Sequence, residues 1–177
     1  MKLLFLDTET TGLDPEKGHA ILEITAILID LEKGEELDRL VTRIHPERTI
    51  DEKASEVHGI YPSDLVGLKP FKHHEPAITQ IIEKADYLIA HNAEFDCNHL
   101  VYAYSRIGKE MRDIKTFDTM TQGRFASFWG RVPTLQELCF ASNIEFDTTR
   151  AHGSEYDTEK LAEAFMKCHE RGHFILS

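Results

Sequence analysis

The pattern of hydrophobic and polar positions along the chain predicts a sheet covered by helices. Residues 2–7 and 20–30 are almost continuously apolar, as in strands that are buried on both faces. A looser alternation over residues 37–44 predicts a third strand, and Gly34 favours a hairpin before it. Two shorter strands are predicted at residues 87–90 and 114–117.

Helical spacing begins after Pro76, and this proline suits the first turn of a helix. Further helices are predicted at residues 94–107, 119–128, 134–141 and 154–170. Three hairpin-connected strands followed by alternating strands and helices predict an α/β fold with a mixed sheet. We expect a single domain over residues 1–177, because this length is typical of one hydrophobic core.

The composition, 41% hydrophobic and 29% charged, is that of an ordinary globular protein. No apolar run approaches the ~20 residues that span a bilayer, and the apolar opening is too short for a signal peptide. The three cysteines, Cys97, Cys139 and Cys168, lack metal-type spacing and are interpreted as reduced thiols. We therefore expect a cytoplasmic protein with no membrane partner.

The net charge of −11 argues against nonspecific binding of polyanions by the surface as a whole. Residues 101–131 differ from the rest, because they hold six basic residues against three acidic ones. This excess is compatible with a nucleic-acid partner, and a solvated helix face of mixed charge is the alternative interpretation. Within the segment, Phe128 and Trp129 offer rings for stacking on bases, but we expect them to pack locally.

The first strand ends in the sequence LDTETTGLD, where Asp7 and Glu9 lie two positions apart. Side chains with this spacing project from the same face of a strand, so the two carboxylates point the same way. Like charges held together repel one another, and a cation is the simplest compensation. On this pair alone, a surface turn with solvated acids is the better interpretation.

Two further segments place acids where apolar elements end. In HNAEFD, Asp96 falls in the first turn of a predicted helix, and in AHGSEYD, His152 precedes Asp157 in the opening turn of the last helix. Four carboxylates without a Cys or His ligand cluster are typical of an all-oxygen site for Mg²⁺ or Mn²⁺. Two such ions can promote phosphodiester cleavage by water, and His152 is suited to accept the proton of that water.

These three segments resemble the sequence motifs of the DEDDh 3′–5′ exonucleases. The family includes proofreading subunits of bacterial replicative polymerases, ribonuclease T and oligoribonuclease. Shorter similarities at Ile21–Glu23, Val57–Ile60 and Thr134–Cys139 extend the resemblance from Leu4 to about Leu161. The resemblance implies a ribonuclease H-like fold, in which the first strand is central in a five-stranded mixed sheet flanked by helices.

The resemblance also implies a role for each residue of the site. Asp7 would bridge two Mg²⁺ ions, and Glu9 and Asp157 would complete the site of the ion that carries the attacking water. Asp96 would support the second ion, and His152 would be the general base. A sister group has a tyrosine four residues before the last aspartate, where this chain has a glycine, so the histidine version fits.

Five further residues are predicted to contact the substrate: Thr10, Thr11, Gly12, His58 and Asn92. The alternative is that the first three only build the turn after the strand, and that Asn92 fixes the loop before Asp96. Glu23, in the middle of an apolar strand, is predicted to need buried partners and to have a structural role. Asp118 is interpreted as an acid at a helix N-terminus, and His19 as a surface residue.

Together these observations predict an Mg²⁺-dependent 3′–5′ exonuclease, with Mn²⁺ able to substitute. It would release nucleoside 5′-monophosphates from the 3′ end of single-stranded nucleic acid, with DNA slightly preferred, and a polymerase or replication protein is a candidate partner. Three alternatives remain open: an RNA-directed enzyme of the ribonuclease T or oligoribonuclease type, a non-catalytic polymerase accessory module, and a small-molecule phosphohydrolase.

Overall fold

In the computed structural model, which describes residues 1–176, five strands form one mixed sheet in the order β3-β2-β1-β4-β5. The strands are β1 (Lys2–Thr10), β2 (Ile21–Asp30), β3 (Glu35–Arg43), β4 (Tyr87–Ala90) and β5 (Lys115–Asp118). The first three pair in antiparallel fashion, whereas β4 is parallel to β1 and β5 is parallel to β4. The predicted mixed sheet with a central first strand is confirmed.

Six α-helices accompany the sheet within residues 1–176: α1 (Glu52–His58), α2 (Phe71–Glu83), α3 (Ala93–Arg106), α4 (Thr119–Gln122), α5 (Leu135–Ala141) and α6 (Ser154–Glu170). Short 3₁₀ turns occur at Pro15–Lys17, Pro62–Leu65, Arg124–Ala126 and Phe128–Gly130. The predicted helices at α3, α5 and α6 are confirmed to within a residue. In this part of the chain, the structure contains no helix with the length and apolar character needed to cross a membrane.

Two helix predictions were wrong in their extent. α2 begins at Phe71, so Pro76 lies inside the helix rather than in its first turn. The added turn is stabilised by packing, because the ring of Phe71 meets that of Tyr104 with centroids 5.4 Å apart. The predicted helix over residues 119–128 ends at Gln122, since two 3₁₀ turns replace its second half.

The hydrophobic core lies on both faces of β1. Leu4 and Leu6 pack in a cluster with residues of α2 and α3, whereas Leu3 and Phe5 pack with residues of α5 and α6. This alternation continues beyond the apolar run. Asp7 and Glu9 therefore extend the row of Phe5 toward α6, and the intervening Thr8 extends the other row toward α3.

The end of β1 projects past its neighbour β4. Phe5 pairs with Ile89, and β4 ends one residue later, so Asp7 and the residues after it lie beyond the end of that strand. On the other side, β2 continues alongside β1, with Asp7 opposite Thr25. The carboxylates of β1 thus lie at an edge of the sheet where the chain leaving β4 turns into α3.

Replacing Phe165 tests the hydrophobic cluster between β1 and α6. Phe165 is fully buried and makes ring contacts with Phe5, Phe117 and Phe174. We expect Phe165→Ala to lower the free energy of unfolding by about 3–5 kcal/mol, because it removes these contacts and leaves a cavity. Urea denaturation measures the loss, and Phe140→Ala, at a side chain that is 85% exposed, is the matched control with little expected change.

Candidate active site

The four predicted carboxylates come from three elements and lie close enough to repel one another. Asp7 and Glu9 are on β1, Asp96 is in the first turn of α3, and Asp157 is in the first turn of α6. Burial raises the pKa of Asp7 well above its usual range, and the charges of the other three carboxylates raise this pKa further. The structure therefore brings together the acids that the sequence separates by up to 150 residues.

The other three carboxyl groups respond to the same environment. Burial raises the pKa of Glu9 to about 8, and the charge of Asp157 adds to this effect. Burial also raises the pKa of Asp96 to about 7, although a hydrogen bond from the Thr8 hydroxyl opposes the shift. The pKa of Asp157 is raised by burial as well, against a backbone hydrogen bond that favours the ionised form. All four groups are thus less acidic than carboxyls in water.

Thr8 links β1 to α3 between the two acids of the strand. Its hydroxyl donates a 2.7 Å hydrogen bond to Oδ1 of Asp96, which fixes the acid of α3 against the strand that carries Asp7 and Glu9. The sequence analysis did not single out Thr8. The signal was present in the strand alternation, because the residue between two site acids must face the opposite helix layer.

The start of α3 is held by a turn with unusual backbone geometry. Asn92, at the N-cap, has φ 86° and ψ 55°, a left-handed conformation that asparagine tolerates better than most residues. Its backbone N–H donates to Oδ1 of Asp118, which also accepts from Met120 N and so caps α4. Asp118 is therefore a helix N-terminal acid, as predicted. Asn92 fixes the loop before Asp96, and its predicted contact with substrate stays a prediction.

His152 lies on the solvent side of the carboxylate cluster. Its side chain is exposed and its backbone is left-handed, with φ 64°. Its backbone N–H donates to Oδ2 of Asp157 at 2.9 Å. After the larger effect of burial, the His152 side chain also acts on the pKa values of Asp157 and His58, so the imidazole lies near both groups. This position suits a group that exchanges protons with water.

A buried network holds the start of α6 against the sheet. Glu23 is directly across the β1–β2 pair from Glu9, and its side chain is 13% exposed. One of its carboxylate oxygens accepts from Arg43, and the other accepts from the Ser154 hydroxyl at 2.8 Å. The Ser154 hydroxyl in turn accepts from Thr25 at 2.8 Å. The prediction that Glu23 needs buried partners is confirmed, whereas Ser154 was missed, because its partners are more than 125 residues away in sequence.

The turn after β1 is held by hydrogen bonds from its own threonine hydroxyls. The Thr10 hydroxyl donates to the carbonyl of Gly12, and the Thr11 hydroxyl accepts from Ala20 N and meets Nδ1 of His19 at 3.1 Å. The prediction that His19 is a surface residue was wrong, because its side chain is 12% exposed and lies against this turn. A Cβ added at Gly12 would lie 2.4 Å from the His19 ring, so the packing requires glycine here.

His58 ties the same turn to α1. Its Nδ1 accepts from Ile60 N, so the neutral ring carries its proton on Nε2 and donates to the carbonyl of Thr10 at 3.2 Å. Burial lowers the pKa of His58, which favours this neutral form. Both ring nitrogens are therefore engaged with the backbone. Substrate contacts of Thr10, Thr11, Gly12 and His58 stay predictions.

The residues present fit divalent cations by their chemistry. As they are placed, no three His, Cys, Asp or Glu side chains among residues 1–176 converge closely enough to hold an ion. However, Oδ1 of Asp157 is buried without a hydrogen-bond partner in the described chain, and burial, followed by the charges of neighbouring carboxylates, raises the pKa values of Asp7 and Glu9. An all-carboxylate donor set is the one that Mg²⁺ and Mn²⁺ prefer.

Comparisons with known proteins relate the chain to exonucleases. The sequence profile of an exonuclease family, named for RNase T, matches residues 4–165. The DNA polymerase III subunit epsilon of Buchnera aphidicola (subspecies Schizaphis graminum, strain Sg) is 32% identical over 173 residues. That alignment covers 93% of this chain and 73% of the relative.

Solved structures share the fold at low sequence identity. E. coli exonuclease I in a zinc-bound complex with single-stranded DNA superposes with a TM-score of 0.81 at 19% identity, over 96% of this chain and 41% of that one. The nuclease domain of 3′hExo, a DEDDh family member bound to rAMP, superposes with a TM-score of 0.76 at 16% identity, over 97% and 92% of the two chains.

The raised pKa values predict a pH-dependent stability for the metal-free protein. Glu9 and Asp96 have folded-state pKa values of about 8 and about 7, above their ordinary values. In the folded chain these two carboxyl groups therefore hold protons that they release in the unfolded chain between pH about 4 and about 8, and their contribution to stability falls as pH rises through this window. Burial lowers the pKa of His58, His91 and His99, and these groups oppose the trend only below pH about 6.5. We therefore expect the Tm in EDTA to decrease from pH about 6.5 to about 8, and a Tm that rises over this range would contradict the carboxylate cluster.

Matched variants attribute this pH effect to the cluster. Asp7→Asn removes one buried charge, so we expect a higher Tm than wild type near pH about 8 and a flatter pH dependence. Glu145→Gln removes an exposed carboxylate and should leave the wild-type dependence unchanged.

Removing the Ser154 hydroxyl tests the network at the start of α6. Ser154→Ala leaves Glu23 and Thr25 each without one buried partner, so we expect a loss of about 1–3 kcal/mol in the free energy of unfolding. Chemical denaturation measures this loss. Ser105→Ala, at an exposed position of α3, is the control, and equal effects of the two changes would show that the network contributes nothing.

Proposed function

The chain belongs to the DEDDh family of 3′–5′ exonucleases, and from that premise we propose that it is an Mg²⁺-dependent enzyme that removes nucleotides from the 3′ end of single-stranded nucleic acid. Enzymes of this family generally use divalent metal ions. The observation that carries the proposal is the cluster of four carboxylates at the end of β1, of which Asp96 is buried and the other three are partly buried, with the loop of His152 beside Asp157. The reaction releases a nucleoside 5′-monophosphate.

The proposed metal ligands are Asp7, Glu9, Asp96 and Asp157. Two Mg²⁺ ions bound there would make water a stronger acid and stabilise negative charge on the reacting phosphate. The four negative charges of the acids match the charge of two such ions, which would offset both the burial and the repulsion that raise the pKa values of Asp7 and Glu9. Mn²⁺ has the same preference for oxygen ligands and is expected to substitute.

The chain's own residues assist the proton transfer. His152 accepts the proton of the water that attacks the terminal phosphodiester, and the 3′ oxygen of the preceding nucleotide leaves. Asp157 receives a hydrogen bond from the backbone N–H of His152, and this contact holds the loop of the base beside the acid cluster. Thr8 and Ser154 fix α3 and α6, so both helices present their acids from rigid positions.

We propose single-stranded DNA as the slightly preferred substrate. The name of the relative from Buchnera, a DNA polymerase III subunit, supports DNA as the substrate and a polymerase as a partner. The net charge of −11 is tolerable when binding depends on the 3′ end and on metal ions rather than on a long basic groove. A single enzyme domain over residues 1–177 and a cytoplasmic location complete the proposal.

A direct assay tests this function. Purified protein is incubated with 5′-labelled single strands of DNA and RNA of the same sequence, in Mg²⁺, Mn²⁺ or EDTA. We expect a ladder that shortens from the 3′ end, is absent in EDTA, and forms somewhat faster on DNA. Faster shortening of RNA would identify the RNA-directed alternative, and cleavage of mononucleotides without shortening of either strand would identify a small-molecule phosphohydrolase.

Single substitutions assign the chemistry to residues. We expect Asp7→Asn to abolish the activity, and His152→Ala to lower kcat by roughly 10²- to 10⁴-fold because it removes the general base. Phe140→Ala, on the surface of α5, should retain wild-type activity. Full activity in both Asp7→Asn and His152→Ala would refute the assignment and favour a non-catalytic binding module.

A further inference from the structure

Two aromatic side chains outside the acid cluster have no local packing. Phe128 is 84% exposed and Trp129 is 100% exposed. The prediction that they pack against neighbouring residues was therefore wrong. Buried aromatic side chains are large contributors to stability, so two adjacent rings in water indicate a surface kept for another molecule.

The backbone holds these rings outward. Trp129 has φ 62° and ψ 16°, a left-handed conformation that is rare and costly for a bulky residue, and Gly130 follows with φ 67°. The Arg124 guanidinium donates to the carbonyl of Gly130 at 2.9 Å and closes this turn. The strained turn is thus held by its neighbours rather than being a free loop tip.

The segment that carries the rings is anchored next to the proposed active site. His91 directly follows β4, one residue before the N-cap of the helix that carries Asp96. Its Nδ1 contacts the hydroxyl of Thr119 at 3.0 Å, and its Nε2 contacts the carbonyl of Pro133 at 3.1 Å. Both ends of the segment that bears Phe128 and Trp129 are therefore bound to the edge of the sheet where the acids gather.

The charge of the segment that carries Phe128 and Trp129 favours a polyanion as the molecule that binds these rings. Residues 119–136 contain no Asp or Glu, although the whole chain has 31 such residues among 177. Arg124 and Arg131 flank the two rings, and of these two arginines only Arg131 forms an ion pair within residues 1–176, with Glu137 at the start of α5. An acid-free segment with exposed rings is suited to single-stranded nucleic acid, where bases stack on aromatic faces and phosphates lie near arginines.

We propose that Phe128 and Trp129 form a stacking platform for bases of the single strand, on the 5′ side of the terminal nucleotide. The platform deepens the proposed function, on which it rests, because it holds the strand while its 3′ end occupies the acid cluster. Stacking is indifferent to base identity, so the platform adds affinity without sequence preference.

Fluorescence of the protein tests the platform directly, because Trp129 is the only tryptophan of the chain. The probe is a single strand of about 12 nucleotides with phosphorothioate linkages, which resist hydrolysis. We expect saturable quenching of the tryptophan emission when the strand is added, and protection of the ring from acrylamide. Unchanged emission at concentrations where fluorescence anisotropy of the labelled strand shows binding would overturn the proposal.

Variants of the platform give a second readout. Trp129→Ala and Phe128→Ala should each weaken binding of the strand about tenfold, and Trp129→Phe should restore part of the loss because it keeps a ring. Phe140→Ala, an equally exposed aromatic elsewhere, is the control and should bind as wild type does. Equal affinity of all four variants would refute the platform and leave a protein partner as the occupant of the rings.

The outcomes separate this inference from the proposed function. If wild-type protein shortens oligonucleotides but its tryptophan emission is not quenched, only the platform fails. If the emission is quenched but no shortening occurs in Mg²⁺ or Mn²⁺, the proposed function fails, and the platform belongs to a nucleic-acid-binding module.

Discussion

The structure depends on the partial burial of like-charged carboxylates at the end of its central strand. Asp7 is partly buried, and after burial the charges of acids on α3, α6 and its own strand raise its pKa further. Among the described residues, no salt bridge reaches Asp7, Glu9, Asp96 or Asp157. Arg43, from β3, pairs with Glu23 instead. Within residues 1–176, hydrogen bonds reach Asp96 and Asp157, but no Lys or Arg pairs with any of the four acids, so the site retains an electrostatic demand for cations.

The hydrophobic core offsets the cost of this arrangement. The four apolar residues before Asp7 are fully buried in two clusters, one on each face of β1. Burial of each such side chain contributes about 1.5–3 kcal/mol, which helps to offset the cost of holding carboxyl groups in a partly buried site. Because the same strand provides the core and the first two acids, the acids cannot separate without disturbing the packing. The site is therefore held rigid by the core residues of the strand that carries Asp7 and Glu9.

Much of the fold could be predicted from periodicity, since β1, β2 and the helices α3 and α6 are long and regularly patterned. The start of α2 could not, because its extra turn depends on the contact between Phe71 and Tyr104, which are distant in sequence. The gathering of acids was predictable from strand ends together with the family resemblance. The Ser154–Glu23 contact was not, since nothing in the local sequence of AHGSEYD distinguishes a buried hydroxyl from an exposed one.

The distribution of charge reconciles an acidic protein with the polyanionic substrate that we propose. A chain of net charge −11 gains little from counterion release over its surface as a whole, so it cannot rely on nonspecific electrostatic affinity. The proposed stacking of bases on Phe128 and Trp129 would not depend on net charge. Affinity that combines such stacking with cations at the acid cluster would be confined to the 3′ end of a strand. The acidic surface would then increase selectivity, because it would repel internal stretches of nucleic acid that reach neither feature.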